Sequence, residues 1–161
     1  MKFTEERLEK AIIELLGKQG YSHTHGKYLD RNQDEVLIKP DLRKFLTNRY
    51  KTDQITSSEI DEIVHKLEYL PASDLYETNK SLMKFISDGF LLKREDSNQK
   101  DLYIQLIDFI STSESINAKD KNIYRIVNQL EIKGYELRKP DVVLYINGLP
   151  LIIFEFKSAI R

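Results

Sequence analysis

Three charged residues in the last part of the sequence have the types and the spacing that hydrolysis of a phosphodiester requires. Asp141 opens one apolar run, and Glu155 and Lys157 close the next, two positions apart. Residues two apart in a strand share a face. Two carboxylates that converge on one point make a site for a hard cation such as Mg²⁺. A lysine beside them can orient the attacking water or stabilise charge on the phosphate. The alternative interpretation is a structural ion pair at a sheet edge.

The turn between the two apolar runs decides whether the two carboxylates face the same side. A two-residue turn at Asn147 and Gly148, in regular register, would place them on opposite faces. A three-residue loop, with Gly148 in the left-handed conformation, places them on one face with position 141 opposite 153. We therefore predict this bulged loop, or an equivalent irregularity around Pro150.

The elements that must position these residues change character along the chain. Apolar residues at helical spacing, together with capping signals such as Thr4 and the capping-box spacing of Thr56 and Glu59, indicate helices in the first ninety residues. The predicted helices cover residues 4–18, 40–50, a segment from 56 onward, and 79–88. Runs rich in β-branched and aromatic residues follow and predict strands. These runs are 102–109, 123–132, 141–146 and 151–156.

The order of helices and strands predicts a mixed α/β (α+β) fold. The last run, 151–156, is apolar except for Glu155. Such a pattern is typical of a strand covered on both faces. A charged residue within such an apolar strand is costly to bury unless it is used. The position of Glu155 therefore favours a functional role.

The bulk composition excludes several classes of protein. With 161 residues, 40% hydrophobic and 32% charged, the chain suits one globular domain, or one domain with part of a second. It contains no cysteine, which excludes disulfide frameworks and thiolate metal sites. No apolar run of membrane-spanning length and no secretory signal occurs, so the cytoplasm is the expected location. A net charge of −1 argues against a protein that coats DNA by bulk attraction.

The sequence around the three residues resembles that of the PD-(D/E)xK nucleases, and more specifically that of the R (restriction and motor) subunit of type I restriction enzymes. The segment PDVVLYINGLPLIIFEFK is similar to a segment of that subunit that runs Pro-Asp, strand, Asn-Gly-Leu-Pro, strand, Glu-x-Lys. The resemblance extends to TEERLEKAIIELLGKQGY and to NIYRIVNQLEIKGYELRKPD. Lys139 stands where the family commonly has arginine.

The resemblance implies a restriction-endonuclease-like core, a central mixed sheet flanked by helices, and cleavage of double-stranded DNA. It assigns catalysis to Asp141, Glu155 and Lys157. Our hypothesis is that the two carboxylates bind Mg²⁺ with the backbone carbonyl of Phe156, and that Lys157 positions the water or the phosphate. Related nucleases often add an acid from the first helix, and Glu9 is the candidate here.

Glu5 and Glu6 are the alternatives to Glu9, although both could simply favour the start of the helix. The resemblance does not identify residues that contact DNA. It implies that site recognition lies in a separate specificity (S) subunit, so this domain is expected to contact mainly the DNA backbone.

The resemblance also sets expectations for the whole protein. Residues 1–161 would form an N-terminal endonuclease-like domain, with a helical insertion at about 25–95 and a core made of about 100–161 plus helix 4–18. The resemblance implies that motor domains that bind ATP follow, and no Walker A pattern occurs in the 161 residues themselves. The chain is therefore expected to be a truncated fragment. The expected partners are the methyltransferase (M) and S subunits.

Two other functions remain open: a nuclease-like docking module without catalysis, and a stand-alone nuclease of the same superfamily. Two other motifs also need an interpretation. His23-Thr24-His25 has the alternation of a metal site but no third ligand nearby in sequence. A basic and aromatic group could contact DNA, although a solvated helix face is more common. This group consists of Lys39, Arg43, Arg49, Tyr50 and Lys51.

Overall fold

A computed structural model of the chain describes residues 4–70, 74–109 and 122–157. In chain order the elements are α1 (Glu5–Lys18), β1 (Ser22–His25), α2 (Lys39–Arg49), α3 (Ser57–Glu68), α4 (Leu75–Ser87), β2 (Phe90–Leu92), β3 (Leu102–Ile104), β4 (Tyr124–Asn128), β5 (Ile132–Lys133), β6 (Leu137–Arg138), β7 (Val142–Ile146) and β8 (Leu149–Phe154). The predicted mixed α/β fold is confirmed.

The chain divides into two compact units, which we call the sheet unit and the helical unit. The sheet unit comprises Met1–Ile38 and Ile123–Arg161, and the helical unit comprises Lys39–Asn122. The division expected from the sequence began the core near residue 100. Here the boundary lies later, because β3 pairs with β2 inside the helical unit and not with the main sheet.

The sheet unit is built on four strands in the order β1-β4-β7-β8. Strand β1 runs parallel to β4, and the other two pairings are antiparallel. Its core is a buried cluster of apolar side chains. The cluster consists of Ile38, Val127, Leu130, Val143 and Tyr145. Strand β7 is therefore central, and Asp141 stands immediately before it.

Tyr145 connects this core to the chain that precedes α2. Its phenol donates a hydrogen bond to the Val36 carbonyl at 3.0 Å. Burial raises the pKa of Tyr145 to about 12, because the charged phenolate would lose its hydration. The buried hydroxyl is thus satisfied by a backbone acceptor and stays neutral.

The turn between β7 and β8 differs from the loop that we expected. Ile146 pairs with Leu149, so Asn147 and Gly148 alone form the turn. Both have positive φ angles, 52° and 78°, as a type I′ turn requires. The three-residue loop was a wrong prediction, since this turn type matches the twist of the strands.

The alternative irregularity around Pro150 is confirmed. Tyr145 pairs with Pro150 and Leu144 with Ile152, so Leu151 is an extra residue in β8. Proline has no N–H to donate to the ladder and is commonly found at such bulges. The bulge moves position 153 opposite 143, not opposite 141.

Strand β8 is more exposed than its apolar sequence indicates. Ile152 and Ile153 are 49% and 62% exposed, so the expectation of a strand covered on both faces was wrong. Among the described residues β8 pairs only with β7. An edge strand of this kind leaves part of its apolar surface open.

The helical unit forms from strong local signals. The capping box of α3 is present, with Glu59 N–H donating to Thr56 Oγ1 at 3.1 Å and Thr56 N–H donating to Glu59 Oε2 at 2.9 Å. Helix α3 buries an apolar face that includes Ile60 and Ile63, as predicted. The predicted strand at 102–109 shortens to β3. No helix in the described parts of the chain is long and apolar enough to cross a membrane.

Candidate active site

The structure brings Asp141 against the segment that carries Glu155. The Phe156 N–H donates a hydrogen bond to Asp141 Oδ2 at 2.7 Å. Regular β7–β8 pairing ends at Val142 opposite Phe154. The next positions outward are Asp141 and Glu155, which therefore lie across from each other at the same end of the sheet. This register, produced by the bulge, places the two carboxylates closer along the strands than the predicted loop would have done.

This pair fits the chemistry of a Mg²⁺ site. Mg²⁺ usually takes one or two carboxylates and completes its octahedron with waters and substrate phosphates. Asp141 Oδ2 is engaged by Phe156, and its Oδ1 forms no hydrogen bond with the described residues. Across the described ranges no group of three His, Asp or Glu residues is arranged to hold a metal. A cation here would take two carboxylates from the sheet and further oxygens from water or substrate.

Lys157 follows at the end of the described chain, two positions from Glu155. Both side chains are exposed, so each is free to face a substrate. Neither lines the cavity described next.

An acidic cavity of about 630 Å³ opens beside Asp141, between α1 and the strands. Its walls carry five carboxylates, one lysine and two histidines. The carboxylates belong to Glu5, Glu6, Glu9, Glu14 and Asp141. The cavity therefore joins the first helix to the start of β7, which is where the family resemblance placed an additional acid.

Glu9, one acid of this cavity, accepts hydrogen bonds from amides at both carboxylate oxygens. Asn128 Nδ2 donates to Glu9 Oε1 at 2.7 Å, and Gln129 Nε2 donates to Glu9 Oε2 at 2.9 Å. A carboxylate has about four lone-pair sites, so each oxygen keeps capacity for another partner. Glu6, in contrast, pairs with Lys10 at 2.7 Å on the exposed side of α1. The geometry therefore favours Glu9 over Glu6 as the third acid.

His23 belongs to the hydrogen-bond network around Glu9 and, among the described residues, is not part of a metal-binding group. Its Nε2 lies 2.8 Å from Asn128 Oδ1. Because the Asn128 amide donates to Glu9 through Nδ2, its Oδ1 must accept, and His23 must carry a proton on Nε2. His23 thus fixes the amide orientation that Glu9 needs.

Sequence reasoning missed Asn128 and Gln129 as members of this network. Gln129 has a φ of 53°, a left-handed conformation that non-glycine residues rarely adopt. This turns its side chain towards α1. No periodicity marks such a residue, and the only sequence signal was the end of an apolar strand followed by two amides.

Several members of the basic and aromatic group are engaged by other residues of the helical unit. Arg49 pairs with Asp108 at 3.0 Å, and Lys39 pairs with Glu68 at 2.9 Å. Tyr50 is buried, and its phenol oxygen accepts from the Gln105 N–H. Lys39, Arg49 and Tyr50 therefore serve the packing of the helical unit, which is neither the DNA contact nor the solvated helix face that the sequence offered.

Comparison with known proteins identifies the family. A family profile described as type I restriction enzyme R protein N terminus matches residues 2–161. The chain belongs to this family.

Two relatives are named as endonuclease subunits of type I restriction enzymes. The chain is 30% identical, over 94% of its length, to a protein of Methanocaldococcus jannaschii provisionally named as the endonuclease subunit of the type I restriction enzyme MjaIXP. It is 27% identical, over 98% of its length, to the type I restriction enzyme HindI endonuclease subunit of Haemophilus influenzae. The chain spans 15% of the length of each of these two relatives.

Proposed function

We propose that this chain is the DNA-cleaving domain of a type I restriction enzyme R subunit and hydrolyses phosphodiesters of double-stranded DNA with Mg²⁺. The observation that carries the proposal is the hydrogen bond between Asp141 and the Phe156 N–H, which holds one site carboxylate beside the segment with Glu155 and Lys157. Membership of the family supports it.

In the proposed mechanism, Asp141, Glu155 and the Phe156 carbonyl would hold the cation, and Glu9 would be the additional acid at the edge of the site. The hydrogen bond from Phe156 fixes Asp141 through Oδ2 and leaves Oδ1 available. When bound, Mg²⁺ supplies charge neutralisation and Lewis-acid polarisation of the phosphate. Lys157 donates to the attacking water or to a phosphate oxygen and holds it for in-line attack.

The proposal extends to the longer protein. ATP-driven motor domains would bring DNA to this site, and M and S subunits would select where the complex loads. Cutting by the chain alone is expected to be weak, because those partners deliver the substrate.

The test uses the full-length parent subunit, assembled with its partners, in an in vivo restriction assay with ATP hydrolysis measured in parallel. Asp141→Asn is the sharpest variant, because the amide oxygen can still accept from Phe156 while the charge is removed. We expect Asp141→Asn, Glu155→Gln and Lys157→Ala each to lower DNA cutting by about 10²-fold or more, the scale of losing one preorganised electrostatic group, with ATP hydrolysis unchanged.

Matched controls are Asp30→Asn and Lys18→Ala, which change exposed residues of the same types in the sheet unit. They should restrict as the parent does. Persistent cutting in all three site variants would contradict the proposal. That outcome would favour a nuclease-like docking module, in which the three residues are structural.

A further inference from the structure

A small hairpin stands just before the candidate site with an unusual surface. Strands β5 and β6 pair with Ile132 opposite Arg138 and Lys133 opposite Leu137. Tyr135, in the loop between them, is 108% exposed, and Leu137 is 62% exposed. Lys133 and Arg138 are exposed and form no ion pair with the described residues. Fully exposed aromatic and unpaired basic side chains on one short hairpin indicate a surface that meets another molecule.

The hairpin is close to the site by chain geometry alone. Only three peptide units join Arg138 to Asp141, so their Cα atoms lie within about 11 Å of each other. A second cavity, of about 330 Å³, is lined by the two residues that flank the hairpin, Glu131 before β5 and Lys139 after β6. It shares two wall residues, His25 and Gln129, with the acidic cavity. The two cavities therefore adjoin.

The charge of this second cavity is opposite to that of the acidic one. Lys27, Arg31 and Lys139 line it, against a single acid, Glu131. Arg31 is fixed by the backbone carbonyls of Glu35 and Glu131. Lys139 is only loosely paired with Glu131, at 3.4 Å with both side chains about half exposed. We call this the basic cavity. Its cations are well placed to attract an anion that approaches the site.

At the wall between the cavities, the backbone at Gly26 packs directly against the backbone of Gln129 and Leu130. A Cβ added at Gly26 would lie 2.6 Å from the Gln129 carbonyl oxygen and 2.7 Å from the Leu130 Cα. Only glycine fits such an approach. Gly26, in the wall of the basic cavity, thus packs directly on the backbone of Gln129, which lines both cavities.

We propose that the β5–β6 hairpin and the basic cavity bind the backbone phosphates of duplex DNA next to the bond that is cut. This inference rests on the proposed function and adds the surface that holds the substrate. A cation-binding site rich in carboxylates repels phosphate, so nearby cations must offset that repulsion. The side chains of Lys133 and Arg138 project from opposite faces of the two-stranded ribbon formed by β5 and β6. A two-stranded ribbon fits the major groove of DNA. A ribbon lying there would direct one cation to each strand.

The experiment measures binding of this chain to a fluorescein-labelled duplex of arbitrary sequence by fluorescence anisotropy, without divalent metal, across a series of salt concentrations. The test variant combines Lys133→Ala, Arg138→Ala and Lys139→Ala. We expect the slope of log affinity against log salt to become shallower by about 0.9 for each phosphate that the protein no longer neutralises. Affinity at low salt should fall by about tenfold or more. Tyr135→Ala should weaken binding with little change in the slope.

The matched control combines Lys18→Ala, Lys44→Ala and Lys100→Ala, which remove the same charge from exposed positions elsewhere. Circular dichroism checks that each variant is folded, and Arg138→Gln alone provides a milder test. Equal weakening of DNA binding in the control and the hairpin variant would overturn the proposal. Unchanged DNA binding in both would also overturn it, and this is the result expected if the hairpin contacts another protein subunit. The binding assay contains no divalent metal and therefore no cutting, so failure of this inference and failure of the nuclease assignment, which the restriction assay tests, give different results.

Discussion

In the helical unit, basic side chains pair with carboxylates, whereas in the sheet unit the carboxylates of Asp141 and Glu9 accept hydrogen bonds from uncharged donors. Arg94 Nε contacts Glu59 Oε1 at 2.6 Å, with only 4% and 1% of the two side chains exposed. Arg94 also donates to the carbonyls of Asp53 and Gln54 at 2.9 and 3.0 Å. In the sheet unit Asp141 takes its hydrogen bond from a backbone N–H.

This difference in hydrogen-bond partners distinguishes carboxylates that stabilise the fold from carboxylates that are available for chemistry. A carboxylate paired with a buried arginine has its charge neutralised and its lone pairs used. A carboxylate held by amides, as Glu9 is held by Asn128 and Gln129, is oriented but keeps its negative charge. Such a group can still bind a cation. The functional chemistry is therefore expected in the sheet unit.

The largest expected effect on stability comes from breaking the buried pair of the helical unit. Arg94→Met should destabilise this unit by about 3–5 kcal/mol, because Glu59 would remain buried without its counter-ion. Urea unfolding, with hydrogen exchange of peptides from residues 53–70 and 90–104, measures the change. Arg43→Met is the matched control, since its pair with Asp61 is 43% and 58% exposed and should contribute at most about 1 kcal/mol. Equal destabilisation in both variants would contradict the comparison.

A smaller effect is expected in the core of the sheet unit. Tyr145→Phe removes the donor to Val36 and should cost about 1 kcal/mol near neutral pH. Because burial raises the pKa of Tyr145 to about 12, the neutral phenol stabilises the fold fully below about pH 10, the usual phenol pKa. That contribution is lost as the pH rises towards 12. Unfolding curves of the two proteins should therefore converge at alkaline pH. Parallel curves would show that the phenol does not titrate as proposed.

The smallest expected effect lies at acid pH in the helical unit. Burial alone would raise the pKa of Glu59, but hydrogen bonds from the Thr56 N–H and the Arg94 guanidinium outweigh it and hold the pKa below its usual value of 4.5. The ionised carboxylate therefore stabilises the fold above that value, and this contribution is lost as the pH falls through the lowered pKa. The stability difference between the parent and Glu59→Gln should shrink over this range. A constant difference would mean that Glu59 does not carry the acid dependence.

Much of the local structure could be read from the sequence because its causes are local. Thr4 accepts a hydrogen bond from the Arg7 N–H at the start of α1, and Thr56 and Glu59 form their capping box within four residues. The apolar runs placed β4, β7 and β8 within a few positions, but β3 covers only part of its predicted run, and β1, β2 and β6 lie outside the predicted runs. The candidate site residues were also chosen from the sequence, since Asp141, Glu155 and Lys157 are unusual charges at the ends of apolar runs.

Only the tertiary structure decided the register and the partners. Leu151 became the extra residue because the two-residue turn fits the strand twist and Pro150 cannot donate to the ladder, and neither preference fixes the bulge by itself. The amide that holds Glu9 comes from a residue 119 positions away. Side chains so distant in sequence meet only after the sheet has formed, so no short-range pattern records their proximity. The sequence determined which residues could do the chemistry, and packing determined which neighbours orient them.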